Sequence, residues 1–264
     1  MAARRIPILP KLKELIIGRS GQEKYTQAVG ILNTNLQEFH PAKQIVAWSG
    51  GKDSTLLLWM IRNECLNLGI DLDEITILFE NTGVEYPQTI KFVRKIQKEW
   101  NLKNFIETKP EKTFWQCVDE FGYPRPKSNR DPIRGAIKQP RCCEYLKEKP
   151  GRKAMKGFEV IYLGITAIES HQRQMRAVTH GPCYFAKADK IKKVLPLLYF
   201  TEPEIWQLHT TCGIPHNPIY DMGVDRCGCM PCTAYKKWQE NLQKTHPKMY
   251  AKIMKDMGQE LIAA

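Results

Sequence analysis

The sequence predicts an α/β protein: an open, doubly wound, mostly parallel sheet with a small helical arm at its C-terminal end. Three observations point there. Short apolar runs of strand length alternate with amphipathic segments of helix length. The first run ends in a glycine turn that feeds a helix, and the alternation stops near Cys212. Repeated strand–helix alternation implies right-handed βαβ units and a sheet covered on both faces. The 264 residues divide on this reading into N-terminal helices (1–40), an α/β domain (41–211) and a cysteine-containing loop with a helical arm (212–264).

The elements follow in order. Lys11–Ile17 and Gln22–Phe39 read as helices, the second with Ala28, Ile31, Leu32 and Leu36 at helical spacing. Gln44–Trp48 is a short buried strand ending in Ser49-Gly50-Gly51, and Ser54–Asn67 is a helix with an apolar stripe. Glu74–Phe79 and Asn104–Thr108 are the next strands. Between and after them lie helices at Tyr86–Trp100, where Pro87 suits the first turn, and Thr113–Phe121. Val160–Gly164 is a fourth strand, with a helix around Glu169–Ala177. Thr201-Glu202-Pro203-Glu204 has the form of a capping box opening a helix to His209, and Tyr235–Met257 reads as one terminal helix.

Composition narrows the class. With 42% hydrophobic and 26% charged residues, the chain is ordinary for a globular protein, which excludes disordered and fibrous classes. No apolar run approaches the roughly 18–20 residues of a membrane-spanning helix, and the opening MAARRIPILPKLKELIIG lacks the apolar core of a secretion signal. A cytoplasmic location is expected, with the nine cysteines reduced and available as metal ligands or reactive thiols. The net charge of +12 is concentrated. Between Phe121 and Lys156 stand Arg125, Lys127, Arg130, Arg134, Lys138, Arg141, Lys147, Lys149, Arg152, Lys153 and Lys156, eleven cations against Asp131, Glu144 and Glu148, leaving +8. Pro124, Pro126, Pro132 and Pro140 forbid a continuous helix there, so 121–156 reads as a basic loop leading into a short helix. A loop this long is usually functional or disordered, and its charge suits a nucleic-acid backbone.

Ser49-Gly50-Gly51-Lys52-Asp53-Ser54, between strand and helix, has the form of a phosphate cradle: backbone N–H groups and the positive end of the helix face the anion, and glycine permits close approach. It lacks the spacing of a Walker A loop. It resembles the PP-loop (SGGxDS) of the ATP pyrophosphatase superfamily at every fixed position, which implies an adenine nucleotide alpha hydrolase-like fold and adenylation with release of pyrophosphate. On that resemblance Ser49, Gly50, Gly51 and Ser54 hold phosphate oxygens of ATP, Lys52 neutralises charge and Asp53 helps place Mg²⁺. Asn81-Thr82-Gly83, after the second strand, is similar to the DTG segment of the phosphoadenosine-phosphosulfate (PAPS) reductase branch, with Asn81 in place of the usual Asp and Gln88 in place of Glu. Gly164 through Arg173 is similar to that branch's GxRxxES…R segment, with Thr166 replacing the usual Arg, which leaves Arg173 as the expected phosphate contact.

Two cysteine pairs, Cys142-Cys143 and Cys229-Met230-Pro231-Cys232, supply four thiolates, a ligand set for an iron–sulfur cluster or for zinc. Their neighbours resemble those of the cluster-containing adenylyl-sulfate reductases, which implies a 4Fe–4S cluster. Cys227 and Cys183 are the candidate sulfur carriers, while Cys65, Cys117 and Cys212 are expected to pack. The intact ATP loop, with no cysteine after Cys232, separates the sequence from reductases that use a cysteine in a C-terminal tail. The combination resembles the ATPases of DNA phosphorothioation and tRNA thiolation, implying a DNA or tRNA substrate held by the basic loop and a sulfur donor such as a cysteine desulfurase. The assembly expected is a homodimer or a larger modification complex, with no membrane partner. Three competing readings are an adenylyl-sulfate or PAPS reductase, an adenylyltransferase, and a subunit that binds nucleotide and cluster without turnover.

Overall fold

The computed structural model describes residues 6–124, 142–235 and 237–258. Helix α1 (Pro10–Lys13) runs into a π-turn at Glu14–Gly18, and α2 (Gly21–Glu38) opens with a full capping box between Ser20 and Glu23. Strand β1 (Gln44–Ala47) leads to α3 (Lys52–Leu68), β2 (Thr76–Glu80), α4 (Pro87–Glu99), β3 (Phe105–Thr108) and α5 (Phe114–Phe121). After the basic stretch come a π-turn at Glu144–Glu148, α6 (Lys149–Ala154), β4 (Val160–Leu163) and α7 (His171–His180). A hairpin of β5 (Cys183–Ala186) and β6 (Ile191–Val194) precedes α8 (Glu202–Thr211), α9 (Trp238–Thr245) and α10 (Pro247–Asp256).

The six strands form one sheet in the order β3-β2-β1-β4-β6-β5. The pairs β1–β2, β1–β4 and β4–β6 are parallel and β5 is antiparallel to β6, the expected doubly wound α/β architecture. The strand order reverses direction at β1, so the switch point of the sheet lies between the carboxyl ends of β1 and β4, where open α/β sheets bind ligands. The central strands are buried on both faces, which their continuous apolar runs anticipate. Ile45, Val46, Val160 and Tyr162 are at most 0% exposed to the nearest percent, as are Leu56, Leu57, Leu58 and Ile61 of α3. Each such side chain contributes about 1.5–3 kcal/mol on burial, which fixes α3 firmly behind the turn that precedes it.

The chain forms two compact units, each assembled from separated stretches. One comprises Met1–Phe79, Lys95–Ile106 and Met155–His216; the other comprises Glu80–Arg94, Glu107–Ala154 and Asn217–Ala264. The first contains most of the sheet with α2, α3, α7 and α8. The second has its own apolar clusters: Phe114, Cys117, Cys142 and Leu146; Trp238, Leu242, Ile253 and Met254; and Tyr86, Ile219 and Val224.

Two sequence expectations are corrected and one element is new. The terminal helix is two helices broken at His246-Pro247, because proline cannot supply the amide that a continuous helix needs. The β5–β6 hairpin was not anticipated; its turn places the non-glycine Lys190 at φ 53°. Cys212 is exposed at the end of α8, whereas Cys65 and Cys117 are buried as expected. Of the basic stretch, Arg125, Lys127, Arg130, Arg134, Lys138 and Arg141 lie outside the described residues. No helix among the described residues is long and apolar enough to cross a membrane.

Candidate functional site

The phosphate cradle lies in the first unit, at the switch point of the sheet. Trp48 directly follows β1, its amide donating to the Leu78 carbonyl (2.8 Å) and its indole Nε1 donating to Thr55 Oγ1 (3.0 Å), so both ends of the turn are anchored. Gly50 adopts φ 70°, a conformation that costs other residues roughly 1–2 kcal/mol. The hydroxyls of Ser49 and Ser54 are 3.0 Å apart, and Ser54 Oγ donates to the Gly51 carbonyl (3.1 Å). Helix α3 then opens without any side-chain cap on its first amides, the arrangement that suits an anion at a helix N-terminus.

Gly164, directly after β4, closes the other side. A Cβ there would stand 2.7 Å from Ser54 Cα and 2.8 Å from Ser54 N, so only glycine lets β4 end against the cradle.

Charge gathers on the same turn. Lys52 Nζ lies 3.1 Å from Asp53 Oδ2 and 3.5 Å from Glu202 Oε1. Burial works against its charge, but Asp53, Glu202 and Glu169 outweigh that and hold its pKa above the usual lysine value. Glu169 is also paired with Arg173. His209, 3% exposed, sets Nε2 2.8 Å from the Lys52 carbonyl oxygen and Nδ1 3.2 Å from that of Ile214. Sequence reading missed both Glu202 and His209, although Glu202 sits inside the capping box it identified.

Cys183 is on edge strand β5, opposite Val194 at the carboxyl end of β6. Three strand spacings, about 14 Å, separate β5 from β1. Its sulfur accepts from Asn35 Nδ2 (3.8 Å), and burial pushes its pKa up.

The cysteine set lies in the second unit. Cys229 is anchored by a backbone bridge to Glu85 and by the Met230 amide donating to the Val84 carbonyl (2.8 Å). Its thiol donates to Thr82 Oγ1 (3.4 Å), and Thr82 donates to Glu85 Oε1 (2.8 Å). Thr82, expected at the nucleotide, is thus hydrogen-bonded to Cys229 of the cysteine set. Asn81 and Gly83 shape the same turn: Asn81 Nδ2 donates to Glu107 (2.6 Å), Asn81 Oδ1 accepts from the Gly83 amide (2.8 Å), and Gly83 adopts φ 76°. Lys147, on the π-turn one helical step after Cys143, lies 3.7 Å from Glu85 Oε1. Burial opposes its charge, but Glu85, Cys229, Glu80 and Cys143 keep its pKa raised.

Cys142 is buried and Cys143 is exposed, as diverging neighbours should be. The hydrogen bond from Cys142 lowers the pKa of Cys143 to about 6, with the charges of Lys147 and Arg226 adding to it, while Cys142 is raised. Burial pushes Cys229 up to about 12 and raises Cys232, both opposed by Lys147. Cys142, Cys143, Cys229 and Cys232 are thus close enough to feel one another's charge. Among the described residues no three Cys, His, Asp or Glu side chains converge as one tetrahedral ion requires. A four-iron cluster binds one thiolate per iron, so its ligands stand further apart, and a net-negative cluster suits the cations Lys147 and Arg226. The four thiols with two cations beside them fit the donor set of a net-negative cluster. Cys227 sits with Tyr86, Ile219 and Met230 and accepts from Asn217 Nδ2 (3.2 Å).

A doubly wound sheet with a glycine turn at its switch point is the arrangement in which open α/β sheets bind ligands. Residues 43–235 match the phosphoadenosine phosphosulfate reductase domain, and the chain belongs to that family. It is 28% identical over 214 residues to an adenosine 5′-phosphosulfate reductase of Lysinibacillus sphaericus, covering 80% of this chain and 82% of that one. It is also 28% identical over 230 residues to an uncharacterised protein of Methanocaldococcus jannaschii, covering 85% of this chain but only 43% of that longer protein. The fold is that of PAPS reductase from Candida auris in a phosphate complex (TM-score 0.54, 18% identity, 85% of this chain and 97% of that). It is likewise that of the U34-tRNA thiolase NcsA of Methanococcus maripaludis with its 4Fe–4S cluster (TM-score 0.51, 15% identity, 92% and 82%).

Proposed function

We propose that the protein is an ATP pyrophosphatase of the sulfurtransferase type, which adenylates an oxygen of a nucleic acid so that sulfur can replace it. The observation that carries this reading is the complete Ser49–Ser54 cradle, with Gly50 at positive φ, an uncapped α3 and Gly164 pressed against Ser54. The nucleic-acid oxygen attacks the α-phosphorus of ATP and pyrophosphate departs with the bonding electron pair. Lys52 and the α3 amides stabilise the charge on the departing phosphates, and Asp53 would help hold Mg²⁺, which would supply further positive charge there. A sulfur nucleophile then attacks the activated atom and AMP leaves with the C–O or P–O bonding pair. Cys227 and Cys183 are the candidate carriers of that sulfur, as a persulfide charged by a donor such as a cysteine desulfurase. After the persulfide's outer sulfur has attacked, a second thiolate attacks the carrier sulfur, the thiolated product leaves with the S–S bonding pair, and an external dithiol reduces the disulfide that remains.

Cys142, Cys143, Cys229 and Cys232 would hold a 4Fe–4S cluster, which supplies a soft metal centre for sulfur ligation or electron transfer. Lys147 offsets its negative charge, and Thr82 with Glu85 holds Cys229 and Lys147 in place. The tRNA thiolase NcsA, named with its 4Fe–4S cluster, supports this reading.

The second reading is reduction of adenylyl sulfate to sulfite, favoured by the named activity of the Lysinibacillus relative. Anaerobically purified protein separates the two. Pyrophosphate release from Mg–ATP, without sulfite release from adenylyl sulfate in the presence of thioredoxin, supports sulfur transfer; the reverse supports reduction.

A further inference from the structure

We infer that the second unit carries a recess for an unpaired RNA base, with Trp115 and Tyr123 as the stacking surfaces. This rests on the proposed nucleic-acid substrate and narrows it to RNA that displays a base outside a duplex.

The recess is a solvent-open depression of about 560 Å³, ample for one base, lined by Trp115, Asp119 and Tyr123 together with Lys252 and Asp256 of α10. Local structure explains its shape. The Thr113–Gln116 capping box fixes the start of α5, so that Trp115 and Asp119, four residues apart, share one helix face. Gly122 at φ 76° ends the helix and turns the chain so that Tyr123 lines the same recess. Lys252 and Asp256 are likewise one helical turn apart, paired at 2.6 Å. Tyr123 Oη donates to Asp256 Oδ2 (2.9 Å), which orients the phenol ring.

The chemistry of the lining matches a base. Two half-buried aromatic rings offer flat apolar faces, and the edge of Trp115 is braced by Phe114 at 5.2 Å and 86°. Asp119 is an acceptor only and selects the amino and imino N–H groups on a base edge, while Asp256 is engaged by Tyr123 and Lys252 and orients them. Lys252 Nζ lies 4.6 Å from the Trp115 ring centre, the position of a cation that a stacking base would displace toward a neighbouring phosphate.

The surroundings repeat this pairing of cation and ring. Lys112 lies 4.6 Å from the Tyr145 ring centre and 5.5 Å from that of Phe121, and Lys149 lies 4.0 Å from Tyr145. Each of these lysines is also paired with a surface carboxylate, Glu120 or Glu144, a weak contact that phosphate can replace. In sequence, Tyr123-Pro124 leads directly into Arg125, Lys127, Arg130, Arg134, Lys138 and Arg141, with Asp131 the single acid between them. Interleaved rings and cations characterise proteins that read single-stranded nucleic acid, whose bases expose their faces. Folded RNA displays such bases in loops without cost, whereas a DNA duplex must first unstack them.

Fluorescence anisotropy of the full chain with three labelled probes tests this: an RNA hairpin with an open loop, a fully paired RNA of equal length and a DNA duplex. The wild type is expected to bind the hairpin most tightly. Trp115→Ala should weaken hairpin binding by about tenfold, the scale of one lost base stack, and Trp115→Phe should restore most of it. Both should leave duplex binding unchanged. Asp119→Ala should also weaken hairpin binding, although removing an acid ordinarily favours a polyanion; it decides the question should Trp115→Ala fail to fold. Unaltered or tighter hairpin binding by a folded Trp115→Ala or by Asp119→Ala overturns the recess while leaving a nucleic-acid substrate intact. A wild type that binds none of the three probes overturns the nucleic-acid reading itself.

Discussion

Gly164 and Ser54 are packed so closely that the space a Cβ on Gly164 would take lies 2.7 Å from Ser54 Cα, with the backbone of Asp53 behind it. The contact joins the carboxyl end of β4 to the first turn of α3 and sets the width of the cradle. Because the obstructing atoms are backbone, they cannot rotate away. Gly164→Ala should therefore displace the cradle, destabilise the fold by about 1–3 kcal/mol and weaken ATP binding disproportionately. Calorimetric titration with Mg–ATP, alongside thermal melts, checks this; unaltered nucleotide affinity would contradict it.

His209 fixes the same turn from below. Its Nε2 is 2.8 Å from the Lys52 carbonyl, and Trp206 packs against the ring at 5.4 Å. His209→Phe keeps the ring volume but leaves a buried carbonyl short of a donor, a loss of about 1–3 kcal/mol. The expected signature is a lowered melting temperature and a raised KM for ATP, with kcat less affected. Steady-state kinetics of His209→Phe against His209→Gln, which retains a donor, measures it.

Lys147 supplies positive charge to the cysteine set through Glu85, Cys229 and Cys143. Lys147→Met should preserve bound iron yet make the centre harder to reduce, shifting its midpoint potential negative. Cys229→Ser should lose iron and the visible absorbance altogether. Iron and sulfide content with a redox titration distinguishes these outcomes.

Lys24 and Glu204 form a pair in which the lysine side chain is 1% exposed, at 2.6 Å, and Lys24 also donates to the Ile16 carbonyl (2.6 Å). Removing one partner of a buried pair costs about 3–5 kcal/mol, so Lys24→Met should be among the most destabilising single changes. Burial opposes the Glu204 charge, but hydrogen bonds from Lys24 and Thr201 hold its pKa below the usual 4.5. A depressed carboxylate contributes stability that is complete above its unfolded pKa and is lost as pH falls through the folded one. The wild type should accordingly hold its melting temperature from neutrality to about pH 5 and lose it below, while Lys24→Met shows a flatter acid limb.

The strand–turn–helix at Ser49–Ser54 was legible in the sequence because its glycines mark the turn and the flanking strand and helix have clean apolar periods. The relations that tune it were not. His209 and Lys52 are 157 positions apart, and no local pattern announces that one accepts from the other. Lys147 counted only as charge, although its spacing of four from Cys143 on a helical turn would have placed the two on one face. The β5–β6 hairpin escaped because Ile191-Lys192-Lys193-Val194 carries two lysines in a four-residue strand and its turn contains neither glycine nor proline. At the C-terminal end the apolar period outweighed Pro247, whose missing amide breaks the helix.

The central claim is that the Ser49–Ser54 cradle cleaves ATP between its α- and β-phosphates. Pyrophosphate release from Mg–ATP should be measured anaerobically on the cluster-loaded protein, with a structured RNA and without it. Pyrophosphate is expected with AMP in equal amount, stimulated by RNA and lost in Lys52→Ala and in Asp53→Ala proteins that still fold. Release of orthophosphate and ADP instead, or pyrophosphate release that survives both substitutions, would contradict the account.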